Sequence, residues 1–242
     1  MTDRVDALVP FSPDRPKTRL SDTLSPAERR DFADAMLTDV LAALEGAGFA
    51  PRVLTTEPTG RDVPETVDDR PLTEAVNAAL DAHDPGPESP LAVVMADLAL
   101  ATPRALARLR GPHGGDGSTA AADSSDPAGD SSDPAGDSSD PADVAIAPGR
   151  GGGTNALLVR HPEFRVDYHG ASSLDHLRAA RDLGATVHEL DSRRLATDID
   201  EREDLAEVLI SGDGAARDWL VEAGFRLETG DGRVTVERNG DG

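Results

Sequence analysis

From residue 6 to residue 110, short apolar runs alternate with segments whose apolar residues recur every three or four positions. Strands joined through helices run parallel, with the helices on both faces of one sheet, so the alternation predicts an α/β, doubly wound, mostly parallel architecture. "DALVPF" reads as a buried first strand. "SPAERRDFADAMLTDVLAALEGAG" predicts a helix with Ser25 as N-cap, Pro26 in its first turn and Glu28 closing a capping box. Phe32, Met36, Leu37, Val40, Leu41 and Leu44 form its apolar stripe, and Gly46 and Gly48 end it. "PRVLTT" reads as a strand, "LTEAVNAALDA" as a helix, and "LAVVMADLAL" as a central strand that breaks at Ala96–Asp97. Thr102 and Pro103 then cap a helix, "PRALARLR".

Between residues 111 and 142 the pattern stops. Three tandem copies of a seven-residue unit, "DSSDPAG DSSDPAG DSSDPAD", start at Asp123. No copy has a large apolar residue to offset its ordering entropy, and each has a proline, which excludes a coiled-coil heptad. The expectation is a disordered acidic insert at the surface; calcium binding by its Asp and Ser oxygens is the other reading. The fold resumes with "DVAIAPGRGGGTNALLV", a helix from Ser172, the strand "TVHELDS" and a helix within "LATDIDEREDLAEVLI". Residues 1–210 thus read as a single domain interrupted at 111–142. Residues 211–242 read as a C-terminal appendage, a helix and a hairpin turned at Gly230–Asp231–Gly232.

The charge narrows the partners. Forty-six acidic against 24 basic residues give a net charge of -22, which repels nucleic acid and anionic membranes. Lys17 is the only lysine; every other basic residue is arginine. Acid spread along the chain, with lysine almost absent, reads as adaptation to high salt, the alternative being a coding bias toward arginine in an ordinary acidic protein. With no cysteine there are no disulfides or thiolate metal sites. No run of 18 apolar residues and no cleavable leader are found, so the expectation is a soluble, cytoplasmic protein.

An anionic ligand must then be met by dedicated donors. The loop "SPDRPKTRL" leaves the first strand at its carboxyl end, where open parallel sheets bind ligands. Arg15, Lys17 and Arg19 place three cations in five residues, beside the Thr18 hydroxyl, as a triphosphate requires; a solvated basic turn is the plainer reading. The loop is not a Walker motif. Asp97, where the central strand breaks, either holds a divalent cation or opens the turn. Asp198 and Asp200 lie two apart before a helix; Asp198 reads as the better metal ligand, because Asp200 could equally be an N-cap with Glu203 completing a box. "RGGGTN" brings glycine N–H groups with Thr154 and Asn155, and Gly170, Ser172 and Ser173 stand at a helix start. His169 and His176 are more readily surface or packing residues than acid–base groups.

Together "PFSPDRPKTRLSDTLSPAERR", "ADLAL", "GRGGGTNALLV", "FRVDYHGASS" and "DIDEREDLAEVL" resemble the 2-phospho-L-lactate guanylyltransferase family, the CofC type of coenzyme F-420 biosynthesis. The resemblance covers roughly residues 5 to 210 without the insert. It implies a nucleotide-diphospho-sugar transferase-like fold, a homodimer, and condensation of GTP with 2-phospho-L-lactate to lactyl-2-diphospho-5'-guanosine and pyrophosphate, with Mg2+ as cofactor. It implies Lys17 and Arg19 on the triphosphate and its leaving group, with Arg15 and Thr18 beside them. It also implies Asn77 near the guanine nucleotide, Asp97, Asp198 and more weakly Asp200 on the metal, and Thr154, Gly170 and Ser173 on the phospho-acid. Two departures stand out: "ADLALA" where the family often reads "ADLPLL", and the seven-residue repeat. The alternatives are the same fold acting on phosphoenolpyruvate or another phospho-acid, a molybdopterin guanylyltransferase, and a non-catalytic nucleotide-binding protein.

Overall fold

The alternation is realised as one seven-stranded sheet. The computed structural model describes residues 4–14, 16–111, 141–229, 232 and 234–239; Arg15, residues 112–140 with most of the repeat, and the turn at Gly230–Asp231 lie outside them. In chain order come β1 (Val5–Phe11), α1 (Pro26–Gly46), β2 (Phe49–Thr55), β3 (Glu65–Val67), α2 (Leu72–His83), β4 (Leu91–Val94) and α3 (Pro103–Ala107). They are followed by β5 (Val144–Pro148), β6 (Thr154–Val159), α4 (Ser172–Asp182), β7 (Val187–Glu189), α5 (Arg193–Ala196), α6 (Arg202–Ser211) and α7 (Ala215–Glu222). A two-stranded antiparallel hairpin, β8 (Phe225–Glu228) and β9 (Thr235–Arg238), ends the described chain.

The sheet order is β3-β2-β1-β4-β6-β5-β7. Every pairing is parallel except those of β6, which runs antiparallel to both β4 and β5. That is why the sheet is mostly rather than wholly parallel: five residues between β5 and β6 suffice for a hairpin and not for a crossover. Successive residues of the central strands feed opposite faces. Ala7, Val9, Val53, Ala92, Val94, Ala145 and Leu158 pack with Leu37, Val40 and Leu44 of α1 and Leu106 of α3. Leu8, Leu54, Val93, Ile146, Leu157 and Val159 pack with Val76 and Leu80 of α2 and Ala180 of α4. A sheet buried on both faces accounts for strands that read as continuous apolar runs.

Helix α1 starts as its sequence predicts. The Ser25 hydroxyl accepts from the Glu28 N–H, and the Glu28 carboxylate accepts from the Ser25 N–H at 2.8 Å. Its outer face meets a third cluster, in which Phe32, Ala33 and Met36 join Leu20, Leu24, Leu205, Val208, Ala216, Leu220, Phe225 and Val236. The described part of the expected appendage, α7 with β8 and β9, is therefore tied to the body. Trp219 packs on Phe32 with ring centroids 5.2 Å apart, and Asp39 of α1 accepts the N–H groups of Ala215 and Ala216 at 2.6 and 2.9 Å. Asp39 thereby caps α7, whose own N-cap, Gly214, has no side chain. A Cβ at Gly214 would collide with the Asp39 carboxylate, so only glycine admits this cap.

The two ends of the insert meet. A Cβ on Gly111 would lie 3.9 Å from the Pro141 side chain. Arg160, buried at the end of β6, donates to the Arg110 carbonyl at 2.9 Å and to the Ala142 carbonyl at 2.8 Å. One guanidinium holds both flanks.

Candidate active site

The loop after β1 closes over the carboxyl end of the sheet and is held there from α1. Arg29, buried in the first turns of α1, donates to the Pro16 carbonyl at 3.2 Å and to the Leu24 carbonyl at 2.9 Å, spanning the loop. Leu20 and Leu24 anchor it in the third cluster. Between these anchors Lys17 takes a left-handed conformation, φ 52° and ψ 48°, and its carbonyl accepts from the Leu20 N–H, starting a 3-10 turn over Thr18–Leu20. A side chain in that region costs about 1 kcal/mol, and such strain concentrates at sites that must aim a group.

Lys17 is aimed at two carboxylates. Its ammonium lies 2.7 Å from Asp97 Oδ2 and 2.7 Å from Asp200 Oδ1, with its side chain only 10% exposed. Burial alone would lower its pKa; the opposite charges of Asp97 and Asp200, and their hydrogen bonds, outweigh burial and raise it. Lys17 is therefore a fixed cation at neutral pH. Arg19 stands outside, well exposed, 3.6 Å from Asp200 and 3.9 Å from Glu201.

Asp97 lies three residues past Val94, the last residue of β4, and the loop carrying Asp198 is brought to it by the Ile199 N–H, which donates to the Asp97 carbonyl at 3.2 Å. Asn155 of β6 fixes the same loop, donating to the Leu195 carbonyl at 2.9 Å and to Asp198 Oδ1 at 3.3 Å. Burial, and then the charges of Asp97 and Asp200, hold the Asp198 carboxyl above the usual range. Asp200 is not an N-cap. Glu201 caps α6 and Asp204 closes the box, leaving the Asp200 side chain free to pair with Lys17.

Among the described residues no three His, Cys, Asp or Glu side chains form a ready metal site. Asp97 Oδ1, however, is buried with no hydrogen-bond partner among the described residues; Asp97 and Asp200 share one ammonium, and the Asp198 carboxyl is close enough to feel both of their charges. That donor set fits a hard cation held by one or two carboxylates, with phosphate oxygens and water completing its shell.

The residues expected at the phospho-acid lie on the neighbouring strand and helix. Because β6 runs antiparallel, its start reaches the carboxyl end of β4: the Met95 N–H donates to the Asn155 carbonyl at 2.9 Å. Thr154 is buried, 2.8 Å from Nδ1 of His176 and 3.3 Å from the Ser172 hydroxyl. His176 Nε2 accepts from the Asp167 N–H at 2.9 Å, so Nδ1 carries the proton and donates to Thr154. Burial pushes His176 down to about 4, keeping the ring neutral; it is a fully buried hub between β6 and the 167–171 loop. Ser173 donates from its hydroxyl to the Gly152 carbonyl at 2.8 Å and from its N–H at 3.2 Å, docking the glycine turn on α4. The N–H groups of Gly149, Arg150 and Gly152 in that turn are spent within the fold. Gly170 has φ 52° with open space where a Cβ would be.

Asn77, expected near the guanine nucleotide, has both sides of its amide engaged by backbone. Its amide donates to the Val166 carbonyl at 2.9 Å and accepts from the Val166 N–H at 2.8 Å, so it clamps the 160–171 loop to α2. His169 is exposed and pairs with Asp167, which raises its pKa. Arg29 and His176 went unrecognised as site supports: 23 arginines mark none individually, and a lone histidine carries no partner information.

Lys17, Arg19, Asp97 and Asp200, with Phe11, Met36 and Met95, line a cleft of about 320 Å³ at the carboxyl ends of β1 and β4. The family profile described as "Guanylyl transferase CofC like" matches residues 5–114 and 136–239. The chain belongs to this family. Relatives named 2-phospho-L-lactate guanylyltransferase match over nearly its whole length: one from Halomicrobium mukohataei is 53% identical, covering 96% of this chain and 98% of its own. Another, from Haloarcula marismortui, is 52% identical over 95% and 97%. Both source organisms bear halophile names, in keeping with the acidic, lysine-poor composition of this CofC-like chain. A solved structure assigned to the nucleotide-diphospho-sugar transferases, from Desulfovibrio desulfuricans G20, superposes with TM-score 0.62 at 14% identity, covering 90% of this chain and 94% of that one. It establishes the fold. The family profile skips residues 115–135, which contain most of the repeat.

Proposed function

We propose that the protein condenses GTP with 2-phospho-L-lactate, releasing pyrophosphate and forming lactyl-2-diphospho-5'-guanosine, in coenzyme F-420 biosynthesis. The observation that carries this reading is the Lys17 ammonium held between Asp97 and Asp200 in a chain about half identical to relatives of that name.

In this reading the substrate phosphate attacks the α-phosphorus of GTP in line, forming one P–O bond as the bond to pyrophosphate breaks. No proton need move, which agrees with a site whose buried histidine is neutral and structural. Lys17 and Arg19, with Arg15 and Thr18, neutralise the triphosphate and the departing pyrophosphate. Asp97 and Asp198, with Asp200 as the weaker third, are the proposed holders of Mg2+. A bound magnesium ion would supply charge neutralisation across the phosphate oxygens. The remaining work is positioning: Arg29 fixes the cation loop, Asn155 fixes the Asp198 loop, and the His176–Thr154 pair fixes the 167–171 loop and the start of α4, where Gly170 and Ser173 would meet the phospho-acid. Asn77 serves the nucleotide at most through that loop. A homodimer in the cytoplasm, with no nucleic acid partner, completes the proposal; among the described residues no helix is long and apolar enough to cross a membrane.

The test is incubation in high salt with GTP, Mg2+ and, separately, 2-phospho-L-lactate and phosphoenolpyruvate, following pyrophosphate release. Turnover with 2-phospho-L-lactate supports the proposal. Exclusive use of phosphoenolpyruvate replaces the acid, and inactivity with every acid ends it.

A further inference from the structure

The cleft over Lys17 continues past Met95 into a second cleft of about 260 Å³ that shares Pro10, Phe11, Ser12 and Met95 with it. This extension lies beyond the carboxyl ends of β1, β2 and β4 and against the first turn of α2. Phe11, Leu54, Leu72, Ala75 and Met95 make it largely apolar, suited to a flat heteroaromatic ring.

Two charged residues in its wall form a rigid unit. The Asp68 N–H donates to the Thr55 carbonyl at 2.8 Å, fixing Asp68 to the end of β2. Arg70 then donates from Nε to Asp68 Oδ1 at 2.9 Å and from Nη2 to Oδ2 at 2.5 Å, while its own N–H reaches Oδ1 at 3.0 Å. That fork uses Nε–H and one Nη2 proton. The two Nη1 protons and the other Nη2 proton have no other hydrogen-bond partner among the described residues, and the Arg70 side chain is half exposed. A guanidinium fixed along one edge presents its remaining donors as a pair with set direction.

We propose that Arg70, oriented by Asp68, selects guanine in this second cleft by donating to O6 and N7 of the base. Adenine places an amino donor where guanine has O6, so the same fork meets a donor and loses its match. The proposal rests on the reading above only in taking a nucleoside triphosphate as the ligand of the adjoining cleft. Arg70 is thus a specificity residue, and Asp68 a positioning residue acting through it.

The experiment uses the full chain in high salt. Equilibrium binding of GTP, ITP, 7-deaza-GTP and ATP is measured without any phospho-acid, and kcat/KM is measured with it. ITP keeps both O6 and N7; 7-deaza-GTP lacks only N7. Wild type should bind ITP like GTP, 7-deaza-GTP about tenfold more weakly and ATP about 100-fold more weakly. Arg70→Ala should bring GTP, 7-deaza-GTP and ATP within about threefold of one another, and Arg70→Lys should fall between. Equal binding of GTP and 7-deaza-GTP by wild type, which needs no variant to fold, overturns the proposal. So does wild-type discrimination in Arg70→Ala, or failure of wild type to bind guanine nucleotides at all. Base discrimination in binding without transfer to any acid would leave Arg70 in its role and remove the proposed reaction; transfer without discrimination would do the reverse.

Discussion

At the scale of the residue, the site is a single ammonium set between acids. A compact charge reaches Asp97 and Asp200 at equal distance, whereas a planar guanidinium is broader and would have to tilt out of a place that is nine-tenths enclosed. Lys17→Arg is expected to lower turnover about 100-fold with little change in the unfolding midpoint, read by pyrophosphate release and by urea melts. Asp97→Asn should remove activity at every magnesium concentration while leaving the circular dichroism spectrum unchanged. Lys17 and Asp97 were legible because composition isolates the first and a broken apolar strand marks the second. Their contact was not: it spans 80 residues, and that to Asp200 spans 183. His176 offers a test by pH. Its folded pKa, about 4, lies below the unfolded value near 6.5, so between these the unfolded chain binds a proton that the folded one refuses. Its contribution is intact above pH 6.5 and is lost as pH falls toward 4, amounting to about 2 kcal/mol between pH 7.5 and pH 5. Urea unfolding of wild type and His176→Asn at both pH values checks this, with the variant expected to show the smaller difference.

At the scale of the element, local signals settled where helices begin more firmly than how strands pair. Ser25, Pro26 and Glu28 act within four residues of one another, so the start of α1 could be read directly. The direction of β6 depends on the five-residue turn before it; "PGRGGGT" between two apolar runs is a hairpin signal that the three glycines drew away toward ligand binding. The strand Glu65–Val67 is three residues long and carries no period of its own. Helix α7 hides its cap in another helix, since Asp39 lies 176 residues before Ala215. Asp39→Ala is therefore expected to cost about 1–2 kcal/mol in urea unfolding, as loss of an N-cap does, although Asp39 looks in sequence like an ordinary exposed residue of α1. Asp39→Asn should recover part of that loss, keeping one acceptor. A midpoint unchanged in Asp39→Ala would show that α7 docks through Phe32 and Trp219 alone.

At the scale of the whole molecule, a net charge of -22 acts on stability through every carboxylate at once. At 0.1 M salt charges interact over about 10 Å, and at 1 M over about 3 Å, so the self-repulsion of the folded surface fades as salt rises. The melting temperature should climb by on the order of 10 °C between 0.1 and 2 M KCl, measured by scanning calorimetry; a flat response would make the acidic composition incidental to salt. The same global view explains why residues 211–242 looked detachable. Their apolar partners, Phe32, Met36 and Leu205, lie elsewhere in the chain and had already been assigned to helices complete in themselves. Arg160 has a consequence for how such a chain can change over generations. By gripping the carbonyls of Arg110 and Ala142 with one side chain, it makes the distance between β5 and the preceding turn independent of how much sequence is spelled out between them. A tandem unit copied once more or once less during replication would leave the sheet, and the carboxylates at its edge, where they were.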